Sequence, residues 1–231
     1  MTKQRTLLTT LILGLTYPLF GQVINKDTVF IHKDSLLGIA QSIYFECNKN
    51  SNFYNNITNF SFSDFDNESY NNSIDYLKEN KLPLTKRQPI ISWTKWVTLK
   101  QYKGKLCVYK PCDFISHHRI SFNDSTIIDW TGEGPIANKI IAQKKINNKT
   151  YEFKLTGIYN KERKLLIHII NKEKGIAIFE EITNGTHKNY YLMIVANKIK
   201  SVPLIVNNCA TQKQFELNFD LPNYKELLIT K

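Results

Sequence analysis

The sequence predicts a mainly β protein: an antiparallel up-and-down meander of about eight strands, closed into a barrel or folded as a sandwich, behind a short N-terminal helical lead. Three observations carry this. Between residues 139 and 196 apolar and polar residues alternate over successive runs, the period-two pattern of half-buried strands. Clusters of turn-forming residues separate those runs, as consecutive hairpins require. The composition is ordinary for a globular chain: 231 residues, 42% hydrophobic, 12% aromatic and 22% charged. It excludes collagen-like, disordered and multi-span membrane classes.

Residues 1–21 are expected to be a signal peptide. Lys3 and Arg5 form a cationic start, and the uncharged stretch Thr6–Phe20 is shorter than the roughly 20 residues that span a bilayer. Pro18 would break a continuing helix, and the small Gly21 suits cleavage. No cysteine follows closely, which argues against a lipid-anchored start, and no later apolar run is long enough to cross a membrane. The expectation is an exported chain, periplasmic or extracellular, without a transmembrane span.

Residues 22–89 form the lead. Val23–Lys33 reads as a short strand and turn. Asp34-Ser35 offers an N-cap, and Leu36, Ile39, Ala40, Ile43, Tyr44 and Cys47 recur at helical spacing, so the pattern predicts an amphipathic helix over 35–47. Segment 48–73 is rich in Asn and Ser, with Phe53, Tyr54, Phe60, Phe62, Phe65 and Tyr70 at intervals. It reads as a long loop or partly disordered insert whose aromatics pin it to the body or form a contact surface. Residues 73–80 add a short helix, and Pro83 and Pro89 mark the boundary.

Residues 90–231 are the antiparallel β domain. Trp93 and Trp96 suit a helical turn or a strand start. Short β-like runs follow at Leu106–Lys110, Arg119–Phe122 and Thr126–Trp130. Tyr151, Phe153 and Leu155 then alternate with polar residues, as do Leu165, Ile167 and Ile169, then Ile176, Ile178 and Ile182, then Tyr190, Leu192 and Ile194. Asn184-Gly185 suits a primed two-residue hairpin turn. Extra runs near 203–206 and 214–219 would cover a sheet edge. Leu166 and Ile170 make both faces of one strand apolar, as a covered face or a ligand cavity would. Over about residues 105–200 this order of elements is similar to small lipocalin-type barrels, in architecture alone; Gly104-Lys105-Leu106 stands where that family opens its first strand with G-x-W.

The net charge of +11 invites a nucleic-acid partner, but 27 of the 31 basic residues are Lys and four are Arg, the residue that makes bidentate base and phosphate contacts. The lysines are scattered. Asn (24) and Ile (28) are inflated together with Lys, as an A/T-rich coding sequence produces. No nucleic-acid partner is expected, although a diffuse positive field still attracts anionic envelope surfaces.

No cofactor or metal is expected. Gly132-Glu133-Gly134-Pro135-Ile136-Ala137 matches G-x-G-x-x-A, but no acidic residue stands at the required offset and a hairpin follows, so it reads as a tight loop. Asp64-Phe65-Asp66-Asn67-Glu68 spaces acids as calcium loops do, without the turning glycine or distal glutamate. The densest reactive set is Cys112-Asp113-Phe114-Ile115-Ser116-His117-His118. In an extended strand its two histidines point to opposite faces, and no HExxH or GxSxG accompanies them. His168, among apolar strand residues, reads as a hydrogen-bonded sheet histidine. Cys47, Cys107, Cys112 and Cys209 suit an exported chain with two disulfides in any of three connectivities, or buried thiols. Trp93, Trp96, Tyr109, Trp130 and Phe153 are the candidate ligand-lining residues, although aromatics at strand positions also serve as plain core.

The resulting expectation is a non-enzymatic barrel protein of the bacterial cell envelope that binds a small apolar ligand or an envelope component. A second reading is an interaction or inhibitor protein acting through 48–73. A third is a hydrolase using His117 or His118 with Cys112 or Asp113.

Overall fold

The computed structural model describes residues 28–36, 39–112, 118–209 and 215–229; the expected signal peptide, and Asp113 and His117 of the reactive set, lie outside the described residues. Two strands come first, β1 (Val29–Leu36) and β2 (Ile39–Glu46), then two helices, α1 (Asn52–Ile57) and α2 (Asp64–Glu79). The strands β3 (Lys95–Tyr102), β4 (Lys105–Lys110), β5 (Arg119–Phe122), β6 (Thr126–Thr131) and β7 (Gly134–Lys145) follow. After these come β8 (Thr150–Thr156), β9 (Arg163–Asn171), β10 (Ile176–Thr183) and β11 (His187–Val195). A 3₁₀ segment (Ala196–Ser201), β12 (Leu204–Cys209) and α3 (Tyr224–Ile229) complete the order.

Eight strands close a barrel. From β5 to β11 each pairs antiparallel with the next, and β3 joins β11 to β5. The hairpins expected over 139–196 are β7 to β11, and Asn184 and Gly185 take φ of 51° and 75°, the left-handed pair that a type I′ turn requires. Inward residues of the strands fill the barrel. Trp96, Phe153, Leu165, Ile167, Ala177, Phe179 and Met193 are fully buried and share one core. Ile91, with Ile90 and Trp93, joins it at the end where β3 begins.

A four-strand wing leaves the barrel at β3, in the order β4, β12, β2, β1. Its β12–β4 pairing is parallel. One wing face and the outer wall of β10 and β11 enclose a second core, where Val108, Leu192, Ile194 and Val206 meet Tyr54 and Ile57 of α1. The opposite face carries Ile43, Cys107, Tyr109 and Ile205 under Leu217 and Phe219 of the C-terminal segment.

Two expectations are corrected here. Residues 35–47 form no helix: β2 occupies 39–46 and pairs with both β1 and β12. Its Ile43 and Tyr44 point to different cores, so both faces are buried, and long-range pairing overrides the local period. Segment 48–73 is no loop, because α1 and most of α2 lie within it. The acids that resemble a calcium loop are the first turn of α2. Ser63 Oγ accepts from the Asp66 amide at 3.2 Å, and Asp66 Oδ2 accepts from the Ser63 amide at 2.9 Å, a complete capping box. The helix lies on β7, where Ser73 Oγ accepts from the Ala137 amide at 2.9 Å. Gly134 (φ 95°) makes this approach possible: a Cβ there would sit 2.6 Å from Ser69 Oγ.

One disulfide joins Cys112, beyond β4, to Cys209 at the end of β12, with Cα atoms 5.8 Å apart and a sequence separation of 97. Cys107 is a buried thiol, pushed up to about 12 by burial, and Cys47 lies at the surface. Closing a loop near 100 residues is worth about 4.7 kcal/mol in the chain-entropy treatment. Replacing Cys112 and Cys209 together by Ser is therefore expected to lower unfolding stability by a few kcal/mol in a urea titration; an unchanged midpoint would refute a structural role for the bond.

Candidate functional site

The barrel interior changes character along its length. Around Phe153, Phe179 and Leu165 it is apolar, but toward the opposite rim the same inward rows become charged: Ile127 gives way to Asp129, Leu165 to Arg163, Phe179 to Glu181 and Met193 to Tyr191. Alternation puts these residues in phase with the core rows, so their heads meet inside the ring.

Arg163 is the centre, its side chain 4% exposed. Its Nη1 donates to Asp129 Oδ2 and its Nη2 to Asp129 Oδ1 at 3.1 Å, a bidentate fork. Its Nε lies 2.5 Å from Glu181 Oε1. Tyr191 Oη donates to Glu181 Oε2 at 3.1 Å, and Asn138 Nδ2 donates to Asp129 Oδ2 at 2.9 Å. Burial alone would lower the Arg163 guanidinium, but the charges of Asp129 and Glu181 prevail and raise it. Burial, then the charge of Glu181, pushes the Tyr191 phenol up.

His118 completes the cluster. Its ring leans on Tyr191 with centroids 5.3 Å apart, and its Nε2 is 3.9 Å from Asp129 Oδ1. Thr98 Oγ1 donates to the His118 carbonyl at 2.6 Å. Burial lowers the imidazole below its ordinary value, opposed by Asp129 and reinforced by Arg163, so the ring is neutral at pH 7. Its Nδ1 has no hydrogen-bond partner among the described residues.

No family model, curated protein or solved structure matches the chain. Its chemistry is therefore read from geometry alone.

The expected ligand-lining residues are dispersed. Trp96 and Phe153 belong to the packed barrel core, linked through Phe179 and Phe122 by ring contacts of 5.1 to 6.4 Å. Trp93 stands edge-on to Trp96 at 5.7 Å and borders a surface cleft of about 330 Å³. Trp130 lies on the outer wall against Phe60 and Phe62, with the Arg119 guanidinium 5.0 Å above its ring. Tyr109 sits on the wing, where its hydroxyl meets Asn207 and Glu216. Of the reactive set, His118 reaches the barrel cluster, whereas Cys112 is in the disulfide and offers no thiolate to a hydrolase. His168 bonds Glu180 at 3.2 Å on the outer wall. No group of three metal-ligating side chains occurs among the described residues.

The sequence reading passed over Asp129, Arg163, Glu181 and Tyr191. The available signal was phase: each stands two residues from an apolar residue on its inward row.

Two outcomes follow. Arg163→Met leaves two carboxylates buried without their partner, so a loss of about 3–5 kcal/mol is expected from chemical denaturation; a near-neutral result would show that the cluster is open to water. A neutral, half-buried His118 takes up its proton at lower pH than it does in the unfolded chain, so stability falls as pH drops below the unfolded value of 6.5. Glu152 and Glu180, held low by their lysine and histidine partners against burial, lose their contributions only below 4.5. Between pH 7 and 5 the wild-type melting temperature should therefore fall more steeply than that of His118→Gln; parallel slopes would refute the assignment.

Proposed function

We propose that the protein is an exported, non-enzymatic barrel protein of the bacterial cell envelope that binds a small envelope ligand at the polar end of its barrel. The observation that carries this reading is the change from a packed apolar core to a charged cluster along one set of inward rows. Burying charge is costly, and a well-packed apolar replacement often does as well or better for stability, so the cluster is explained by recognition. One guanidinium against two carboxylates leaves the cluster net negative, and the neutral imidazole keeps one nitrogen, the buried Nδ1, without a hydrogen-bond partner among the described residues. Both features favour a ligand with hydrogen-bond donors, a hydroxyl or ammonium group.

The competing readings draw less support. A purely apolar ligand would need room among Phe153, Leu155 and Ile167, which are buried against one another. Ile178, two residues from Ile176 on the same row, belongs with it to the outer core. In segment 48–73 Tyr54, Phe60 and Phe62 are used in packing against the body, which leaves less of it for a partner. For hydrolysis, the carboxylate oxygens of Asp129 and Glu181 are already taken by Arg163, Tyr191 and Asn138.

Native mass spectrometry of the mature chain, purified gently from an envelope fraction, tests this. A reproducible adduct on the wild type, absent from His118→Ala while the fold is retained, is expected. Bare chain masses for both would overturn ligand binding, and an adduct equally present on the variant would overturn the site.

A further inference from the structure

Beside the barrel rim lies a groove of about 480 Å³ whose lining, apart from Arg163 and Leu155, no step above uses. Its apolar surface comes from Ile141 and Ile182, with the buried Leu155 at its base. Ile141 is 47% exposed and sits in a β-bulge of β7, where the register shifts between Ile140 and Ala142. Arg87 fixes the bulge from outside the strand by donating to the carbonyls of Ile140 (3.1 Å) and Ile141 (2.7 Å). Lys154, Lys161 and Lys164 surround this floor, with Glu162 as the single acidic lining residue. The β8–β9 turn beside it presents Ile158 and Tyr159, the latter 70% exposed.

The charge arrangement points to an occupant. Lys154 and Lys164 stand directly opposite each other on β8 and β9, and like charges in that position are destabilising. Glu152 relieves Lys164 at 3.0 Å, whereas Lys154 and Lys161 have no carboxylate partner among the described residues. An apolar floor bordered by two unmatched cations fits a molecule with an apolar chain and an anionic end. We propose that this groove binds a monomeric anionic amphiphile, its chain on Ile141 and Ile182 and its acid between Lys154 and Lys161. Arg163 borders both this groove and the barrel-end cluster, but its guanidinium is held by Asp129 and Glu181, and Lys154, Lys161 and Ile141, the residues varied below, belong to the groove and not to the cluster.

The test uses dodecanoate below its micellar concentration, with dodecyltrimethylammonium as a control of equal chain and opposite charge, followed by isothermal titration calorimetry on the mature protein. One-to-one binding of dodecanoate alone is expected. The double variant Lys154→Glu/Lys161→Glu should weaken it by about tenfold or more, the scale of one charge-assisted hydrogen bond, and Ile141→Glu should do the same. Unchanged circular dichroism and melting temperature in both variants show that folding is intact. If both amphiphiles bind alike, or the charge reversals change nothing, the proposal is overturned. Association with phosphatidylglycerol vesicles without affinity for monomeric dodecanoate also overturns it, in favour of a membrane-surface contact.

Discussion

A strand has only two hydrogen-bonding edges, and the architecture turns on how β3 divides one of them. Over Lys95–Val97 that edge pairs with β5 and closes the barrel; over Leu99–Tyr102 it pairs with β4 and starts the wing. Between the two lies Thr98, whose hydroxyl takes the His118 carbonyl just before β5 begins. The barrel is therefore sealed by a short ladder and forks immediately above it. The fork creates the interior rim where charge is tolerated, and it hangs His118 over that rim. It also sends β4 outward, so that β12 and the β1–β2 hairpin can add to a sheet that would otherwise have ended. The Cys112–Cys209 bond then ties the two parallel strands β4 and β12 at their far ends.

The rim cluster survives because its hydrogen bonding is nearly complete. Arg163 donates both Nη groups to Asp129 and faces Glu181 as an ion pair, and the other Glu181 oxygen accepts from Tyr191. A lysine there would supply a point charge with no fixed directions and could not hold two carboxylates in one plane. What remains unmet is Arg163 Nε, which meets Glu181 as an ion pair without a hydrogen bond, and Nδ1 of His118, the one member that comes from the strand start next to the fork. The cluster is rigid where it is satisfied and receptive where it is not.

The barrel was legible in the sequence because its information is local. Alternation in Tyr151–Leu155 and Leu165–Ile169, and the Asn184-Gly185 turn, are readable within a few residues. The wing was not, since β2 is defined by partners more than 150 residues away: Leu204 lies opposite Glu46, and Asn207 opposite Ile43. Taken locally, Ile39, Ile43 and Cys47 satisfy a helical period equally well. The α2 helix hid for the opposite reason. Its Asn-rich surface has poor intrinsic propensity, and what stabilises it is the Ser63–Asp66 capping box and a docking glycine on a strand far along the chain. The site was half legible: His118 stood out by residue type, but its partners come from β6, β9, β10 and β11 and meet only once the ring is closed.

The scarcity of arginine, which first counted against nucleic acid, has a structural complement. Each arginine in the described residues is an internal cross-link that needs several fixed donors. Arg87 holds the β7 bulge through two carbonyls. Arg119 reaches the carbonyls of Ile57 and Asn59 while stacking on Phe60 and Trp130. Arg163 holds the barrel rim. The positive field of the surface is thus left to lysine, whose flexible stem and single ammonium suit attraction at a distance better than bidentate recognition. Such a field becomes selective only where geometry gathers it against apolar surface, and on the outer wall this happens where the Arg87-held bulge turns Ile141 out beside Lys154. The two basic residue types therefore act in sequence: arginine fixes the shape, and the shape decides which lysines act together.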